Sequence, residues 1–314
     1  MELREIACEV YACLQEDRGL GYSNSGLVGR DAGLVVDTFW DLPHTRQLIQ
    51  HYAEVWRRPA SRVVNTHHNG DHCWGNQLFA GAEIIGHRRC REGMLREDPK
   101  LLQALATAAE GDDPALRAFA RKLSDWDFSG VQTVPPTTVF ESRLELESSG
   151  IPVRLIHVGP AHTAGDVIVH LPEQRVLFAG DIVFRRCTPI AWEGSTAQWI
   201  TALDEIERLA PDVVVPGHGP LCGLEGPREM KAYLEYVSTE GRRFFEAGLT
   251  VGEAARKLDL GPYADWTEPE RLVFNLERVY RELRGEPEDA PIDVVRLFRE
   301  MYALSCMRHG EPIP

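Results

Sequence analysis

Thr66-His67-His68-Asn69-Gly70-Asp71-His72 is the stretch whose reading decides the fold. Three imidazoles and a carboxylate stand within His67–His72. Imidazoles gathered so closely repel one another when protonated, and a divalent cation is the usual reason for such a cluster. The stretch follows Ser61-Arg62-Val63-Val64, a β-branched run that reads as a strand. Before it lie the strand-like runs Gly26–Val28 and Gly33–Val36 and a helical pattern from about His44 to Trp56, which Pro59 ends. Another strand-like run, Ala82–Gly86, comes after it. This β-α-β pattern places the His-rich loop at the carboxyl end of a strand, where open sheets bind ligands.

The same arrangement recurs along the chain. Asp37 ends the run Gly33–Val36, and His162 sits in Pro160-Ala161-His162-Thr163-Ala164-Gly165-Asp166 between two apolar runs. Asp181 is expected to end the strand Val176–Asp181, and His218 ends Val213-Val214-Val215-Pro216-Gly217-His218. Glycine beside the ligand allows the backbone turn that aims it. Further strands are expected at Val153–Val158, Asp166–Leu171, Arg175–Ala179 and Pro211–Val215, with a helix at about Ala197–Leu209. Arg88–Asp127 is helical and rich in Ala and Leu, interrupted at Gly111-Asp112-Asp113-Pro114, and reads as an insertion or lid. Beyond Gly226-Pro227 the pattern is helical to about His309, with linkers near Gly261-Pro262 and Gly285-Glu286-Pro287.

These five motifs, in this order over about residues 20–225, resemble the metallo-β-lactamase-fold hydrolase superfamily. The resemblance implies an α/β (α+β) architecture, the αββα sandwich of two mixed β-sheets flanked by helices. It further implies a catalytic domain over 1–225, a helical insertion at about 88–130 and a helical extension over 226–314. The first metal site would use His67, position 69 and His162, and the second Asp71, His72 and His218, with Asp181 between them. The family loop T-H-x-H-x-D-H has His where this chain has Asn69. A neutral amide oxygen is a poor zinc ligand beside imidazole. The expectation is therefore one tightly held Zn2+ at Asp71, His72, Asp181 and His218, and a weaker site near His67 and His162. Carboxylate-rich His sites also accept iron and manganese. Asp37 is read as a loop-bracing acceptor, Cys73 as a packed thiol, and His68 as pointing away from its neighbours. His44, His51, His87, His157, His170 and His309 are read as ordinary surface or core residues.

A divalent metal lowers the pKa of bound water to about 7 and polarises a carbonyl. The implied reaction is attack by metal-bound hydroxide on an activated acyl group: a lactone, ester or thioester. Asp71 would orient the water, and Asn69 would donate a hydrogen bond to substrate or oxyanion. Trp40, Trp74, Phe184 and Trp192 follow the ligand-bearing runs and suggest an aromatic-lined pocket for a hydrophobic or aromatic small molecule. Arg185 with Arg186 would anchor a carboxylate or phosphate. Competing readings are a non-hydrolytic, dehalogenating or cyclising enzyme on the same fold, and a non-catalytic binding protein with a degraded metal site.

The bulk numbers narrow the field. A net charge of −14 over 314 residues disfavours nucleic acid and anionic membranes as partners. Seven cysteines with no C-x-x-C pair read as reduced thiols in a cytoplasmic protein. The N-terminus carries no signal-peptide pattern, and no run approaches the roughly 18 apolar residues of a membrane span. The extension would cover the sandwich, shape the pocket or form a homodimer interface.

Overall fold

The computed structural model describes residues 1–107, 113–288 and 290–310; Gly111 and Asp112 of the expected helical break lie outside them. The first sheet has seven strands that pair in chain order: β1 (Glu2–Ala7), β2 (Val10–Leu14), β3 (Ser25–Val28), β4 (Leu34–Val36), β5 (Arg62–Val64), β6 (Glu83–His87) and β7 (Thr138–Phe140). β1 to β4 run antiparallel and β4 to β7 parallel. The second sheet holds β8 (Arg143–Ser148), β9 (Ile151–His157), β10 (Val167–Leu171), β11 (Val176–Phe184) and β12 (Val213–His218), ordered β12-β11-β10-β9-β8. Only its β11–β12 pair is parallel. A parallel neighbour requires a crossover. Here that is a helix, Thr196–Leu209, whose start is fixed by a reciprocal Ser195–Gln198 capping box.

Alternation along the strands builds the layers. Leu34 and Val36 face inward with Val10, Val28 and Val64, against Val153, Leu155, Val169 and Phe178 of the second sheet. Val35, between them, points outward with Leu27 and Val63 onto Leu48 and Tyr52. Those two belong to α1 (Leu42–Ala53), which Asp41 caps by accepting the His44 N–H at 2.8 Å. Next come α2 (Gly70–Cys73), then α3 (Arg88–Met94), α4 (Pro99–Thr107) and α5 (Pro114–Lys122) of the insertion. The crossover helix is α6, and α7 (Glu225–Glu246), α8 (Val251–Lys257), α9 (Leu272–Leu283) and α10 (Val294–His309) follow. Trp199, Leu203, Tyr233, Leu234, Phe274 and Leu276 share one apolar cluster with Ile168 and Leu177 of the second sheet. The extension thus covers the outer face of that sheet. It also grips the insertion: Phe119 of α5 packs on Phe298 of α10, and Lys122 pairs with Glu270 at 2.9 Å and with Glu268. No described helix is long and apolar enough to cross a membrane.

The structure departs from the sequence expectations in two respects. Among the strands, β1, β2, β7 and β8 carry no individual expectation; β1 and β8 are edge strands whose charged residues blur the apolar alternation. β11 does not stop at Asp181 but runs on to Phe184, with its register shifted at Gly180, whose φ is 50°. Asp181 therefore projects from within a bent strand, not from its end.

Candidate metal centre

Five segments bring the polar residues to one edge of the sandwich. After β4, Asp37 adopts φ 59°, a left-handed turn that folds its buried carboxylate back under the next loop. There it accepts the Thr66 N–H at 2.7 Å, the Thr66 hydroxyl at 2.7 Å and His72 Nδ1 at 3.0 Å. The Thr66 hydroxyl oxygen lies 3.0 Å from His67 Nδ1. With Thr66 donating to Asp37, that oxygen accepts from His67 Nδ1–H. One carboxylate thus fixes the tautomers of His67 and His72, leaving both Nε2 atoms to face the centre. His162 is oriented by the Ile190 carbonyl at 2.8 Å from Nδ1, and His218 by the Tyr22 carbonyl at 3.1 Å from its Nδ1.

Around Asp181 the ring nitrogens converge. Its Oδ2 lies 3.4 Å from His162 Nε2, 3.4 Å from His218 Nε2 and 3.7 Å from His67 Nε2, and its Oδ1 lies 3.1 Å from His72 Nε2. Asp71 Oδ2 stands 3.4 Å from His218 Nε2 and 3.8 Å from His72 Nε2. Two sets of three, His67, His72 and Asp181, and Asp71, His72 and His218, each bring their ligand atoms within 4.8 Å of one another. His67 Nε2 and Asp181 Oδ1 are buried without a hydrogen-bond partner among the described residues. Orphaned buried polar atoms are costly unless something else satisfies them. This donor set therefore fits one or two divalent cations.

The two halves differ electrically. Burial holds His67 well below the usual imidazole range and lowers His162 to about 4, so both present lone pairs. Burial also opposes charge on His72 and His218, but the Asp181 and Asp71 carboxylates outweigh it and raise both. Burial likewise resists ionisation of Asp181, yet the surrounding imidazoles, His218 foremost, pull it well below the usual carboxylate range. A cation entering the Asp71 half must displace protons; one entering the His67 half need not.

A cavity of about 400 Å³ opens over the centre. Asn69, Asp71, His162, Asp181 and His218 form its floor, and Trp40, Trp74, Phe184 and Trp192 line it. Arg185 does not line it. Its guanidinium pairs instead with Glu229 of α7, which removes it as an anchor. Two other arginines, Arg96 and Arg271, reach the cavity, as does Glu97. Burial, then the Asp71 charge, pushes Glu97 up to about 8. No motif marks these three, because Arg96 and Glu97 stand on the insertion, between motifs, and Arg271 on the extension, beyond them. Asn69 turns its Oδ1 to within 2.7 Å of His162 Nε2. His68 faces the other way and packs where Gly93 leaves room on α3. Cys73 donates its thiol to the His68 and Asn69 carbonyls at 3.1 and 3.3 Å, behind the loop.

The model of the metallo-beta-lactamase superfamily matches residues 18–218. The chain is 24% identical over 296 residues to a linear primary-alkylsulfatase of a Pseudomonas species, covering 83% of this chain and 55% of that protein. It is 27% identical over 196 residues to the 2,4-dinitroanisole O-demethylase subunit alpha of a Nocardioides species, covering 60% and 50%. Among solved structures, a stereoselective inverting sec-alkylsulfatase from Pseudomonas superposes with a TM-score of 0.67 at 18% identity, over 93% of this chain and 51% of that one. The chain thus spans about half the length of these relatives.

Proposed function

The chain belongs to the metallo-beta-lactamase superfamily, and we propose that it is a metal-dependent hydrolase of an activated acyl group, a lactone, ester or thioester of a hydrophobic or aromatic small molecule. The observation that carries this reading is the convergence of four imidazoles on the Asp181 carboxylate, with Asp71 beside them, at the floor of an aromatic-walled cavity. His72, His218, Asp71 and Asp181 would hold the tight metal, and His67 and His162, with Asp181, the weaker one. A bound divalent metal supplies an acidified water and polarises the carbonyl under attack.

The remaining work falls to the chain. Asp71, with Oδ2 3.4 Å from His218 Nε2, would orient the attacking water by accepting a hydrogen bond from it. Asn69 keeps its amide nitrogen for donation, so an N–H is at hand for the developing oxyanion. Trp40, Trp74 and Trp192 exclude solvent and hold the apolar part of the substrate. A second reading, an alkyl sulfate ester as substrate, is favoured by the likeness to an alkylsulfatase over most of the chain and by Arg96 at the cavity. Arg271 adds little to it, because Glu268 already neutralises that guanidinium.

A chromogenic panel of lactone, thioester, β-lactam and alkyl sulfate, assayed with and without chelator, tests the proposal. Chelator-sensitive hydrolysis of an acyl substrate, abolished in Asp71→Ala, is expected. Turnover of the sulfate ester alone would move the assignment to the second reading. No turnover of any substrate by metal-loaded protein would sink both.

A further inference from the structure

Asn69 occupies the position before α2, where an asparagine side chain ordinarily accepts a backbone N–H of the first turn. It makes no such bond here and turns its amide into the cavity. Its Oδ1 lies 2.7 Å from His162 Nε2, while His162 Nδ1 faces the Ile190 carbonyl at 2.8 Å. A neutral imidazole has a single N–H, and a backbone carbonyl can only accept. The proton therefore sits on Nδ1, and Nε2 points a lone pair at the amide. Two lone pairs that close repel unless a cation lies within reach of both or the amide turns over to present Nδ2.

Glu97 bears on that choice. Its carboxyl lines the same cavity, and its Oε2 is buried without a hydrogen-bond partner among the described residues, an acceptor open to an amide N–H of Asn69. A carboxyl offers an acceptor oxygen in either protonation state. An N–H turned toward Glu97 would direct the amide oxygen inward, where His67 Nε2 is buried without a partner and Asp181 Oδ2 is 3.4 Å from His162 Nε2. The second N–H of the amide stays available to substrate.

We propose that Asn69 Oδ1 is a ligand of the weaker metal position, with His67, His162 and Asp181, and that Glu97 is a positioning residue that keeps this oxygen turned inward. The inference rests on the reading of this centre as a metal site. A set of two imidazoles, one carboxylate and one neutral amide oxygen is harder than the usual three-imidazole set and tolerates Mn2+ better relative to Zn2+.

Metal content after desalting and chelator competition with Zn2+ and Mn2+ provide the test, read without any substrate. The wild-type chain should bind two equivalents, the second more weakly. Asn69→Leu should lose the second and keep the first. Glu97→Ala should weaken the second about 10–100-fold, the range for removing a group that orients a ligand. Glu97→Gln, which keeps an acceptor oxygen, should recover most of that loss. An unchanged second equivalent in Asn69→Leu overturns the ligand role, and an unchanged affinity in Glu97→Ala overturns the positioning role. Wild-type protein that binds no metal overturns the metal reading itself, and the inference with it.

Discussion

Replacing Asp37 by Asn is the sharpest probe of how the centre is built, because it changes hydrogen-bond polarity at almost constant shape. Asp37 Oδ2 accepts from the Thr66 hydroxyl at 2.7 Å and from His72 Nδ1 at 3.0 Å. In Asp37→Asn the Thr66 N–H can still donate to Oδ1, as at 2.7 Å now. The other end becomes an N–H2 donor facing two donors. His72 must then shift its proton to Nε2 and loses the lone pair it would give a metal. The Thr66 hydroxyl, now receiving from the introduced amide, turns its proton to His67 Nδ1, and His67 shifts in the same sense. Loss of a partner that orients a metal-binding His costs about 10–100-fold in affinity, or about 1.4–2.7 kcal/mol. Where the rings instead keep their present tautomers to hold metal, the mismatched buried donors cost about 1–3 kcal/mol of stability. Chelator competition for Zn2+ and calorimetric unfolding would measure the two effects. Unchanged zinc affinity in a variant that unfolds at the wild-type temperature would refute the tautomer argument.

Gly217→Ala should fail for a steric reason: a Cβ there would overlap Asp181 Oδ1 and press on the Gly180 backbone. We expect roughly 1–3 kcal/mol of lost stability and reduced metal content, both visible in thermal melts and elemental analysis. A second expectation concerns pH. His72 and His218 are raised above the ordinary imidazole value of 6.5, so in metal-stripped protein their stabilising pairs are present below that value and fade as pH rises through the raised pKa. Metal ligation needs the neutral rings, so the melting-temperature gap between loaded and chelator-treated protein should widen as pH rises above 6.5; a gap independent of pH would contradict the charge assignment. Thiol titration should find one fast-reacting cysteine in the native protein, Cys8, which is exposed, and seven after denaturation, because the other six are buried and no disulfide is present.

Much of the candidate centre is legible in sequence because the residues proposed as ligands sit beside glycines in or after apolar strands, and strand pattern and turn residue are both local signals. Thr66–His72, His162 and His218 announce themselves in this way. Asp181 is visible too, though not the bend at Gly180 that lets β11 continue beyond it, since a register shift depends on the partner strand. Arg185 illustrates the opposite case. Its place after a ligand strand suggests a substrate anchor, but Glu229, far along the chain on α7, claims the guanidinium. Arg96, Glu97 and Arg271 carry no local mark and reach the cavity only through the packing of the insertion and extension. The extension itself reads only as amphipathic helix; that it clasps α5 through Phe298 and Glu270 is a property of the assembled layers.

That clasp separates two jobs. Every side chain proposed to hold metal hangs from the sandwich, between His67 and His218, whereas much of the cavity wall comes from Arg96–Leu102 and Arg271, outside its sheets. Changes in α4 or the start of α9 can reshape what enters without moving an imidazole. Chemistry and choice of substrate are thereby free to diverge at different rates, and a library confined to those wall segments, with Glu97 left unchanged, would retune selectivity while metal content stays fixed.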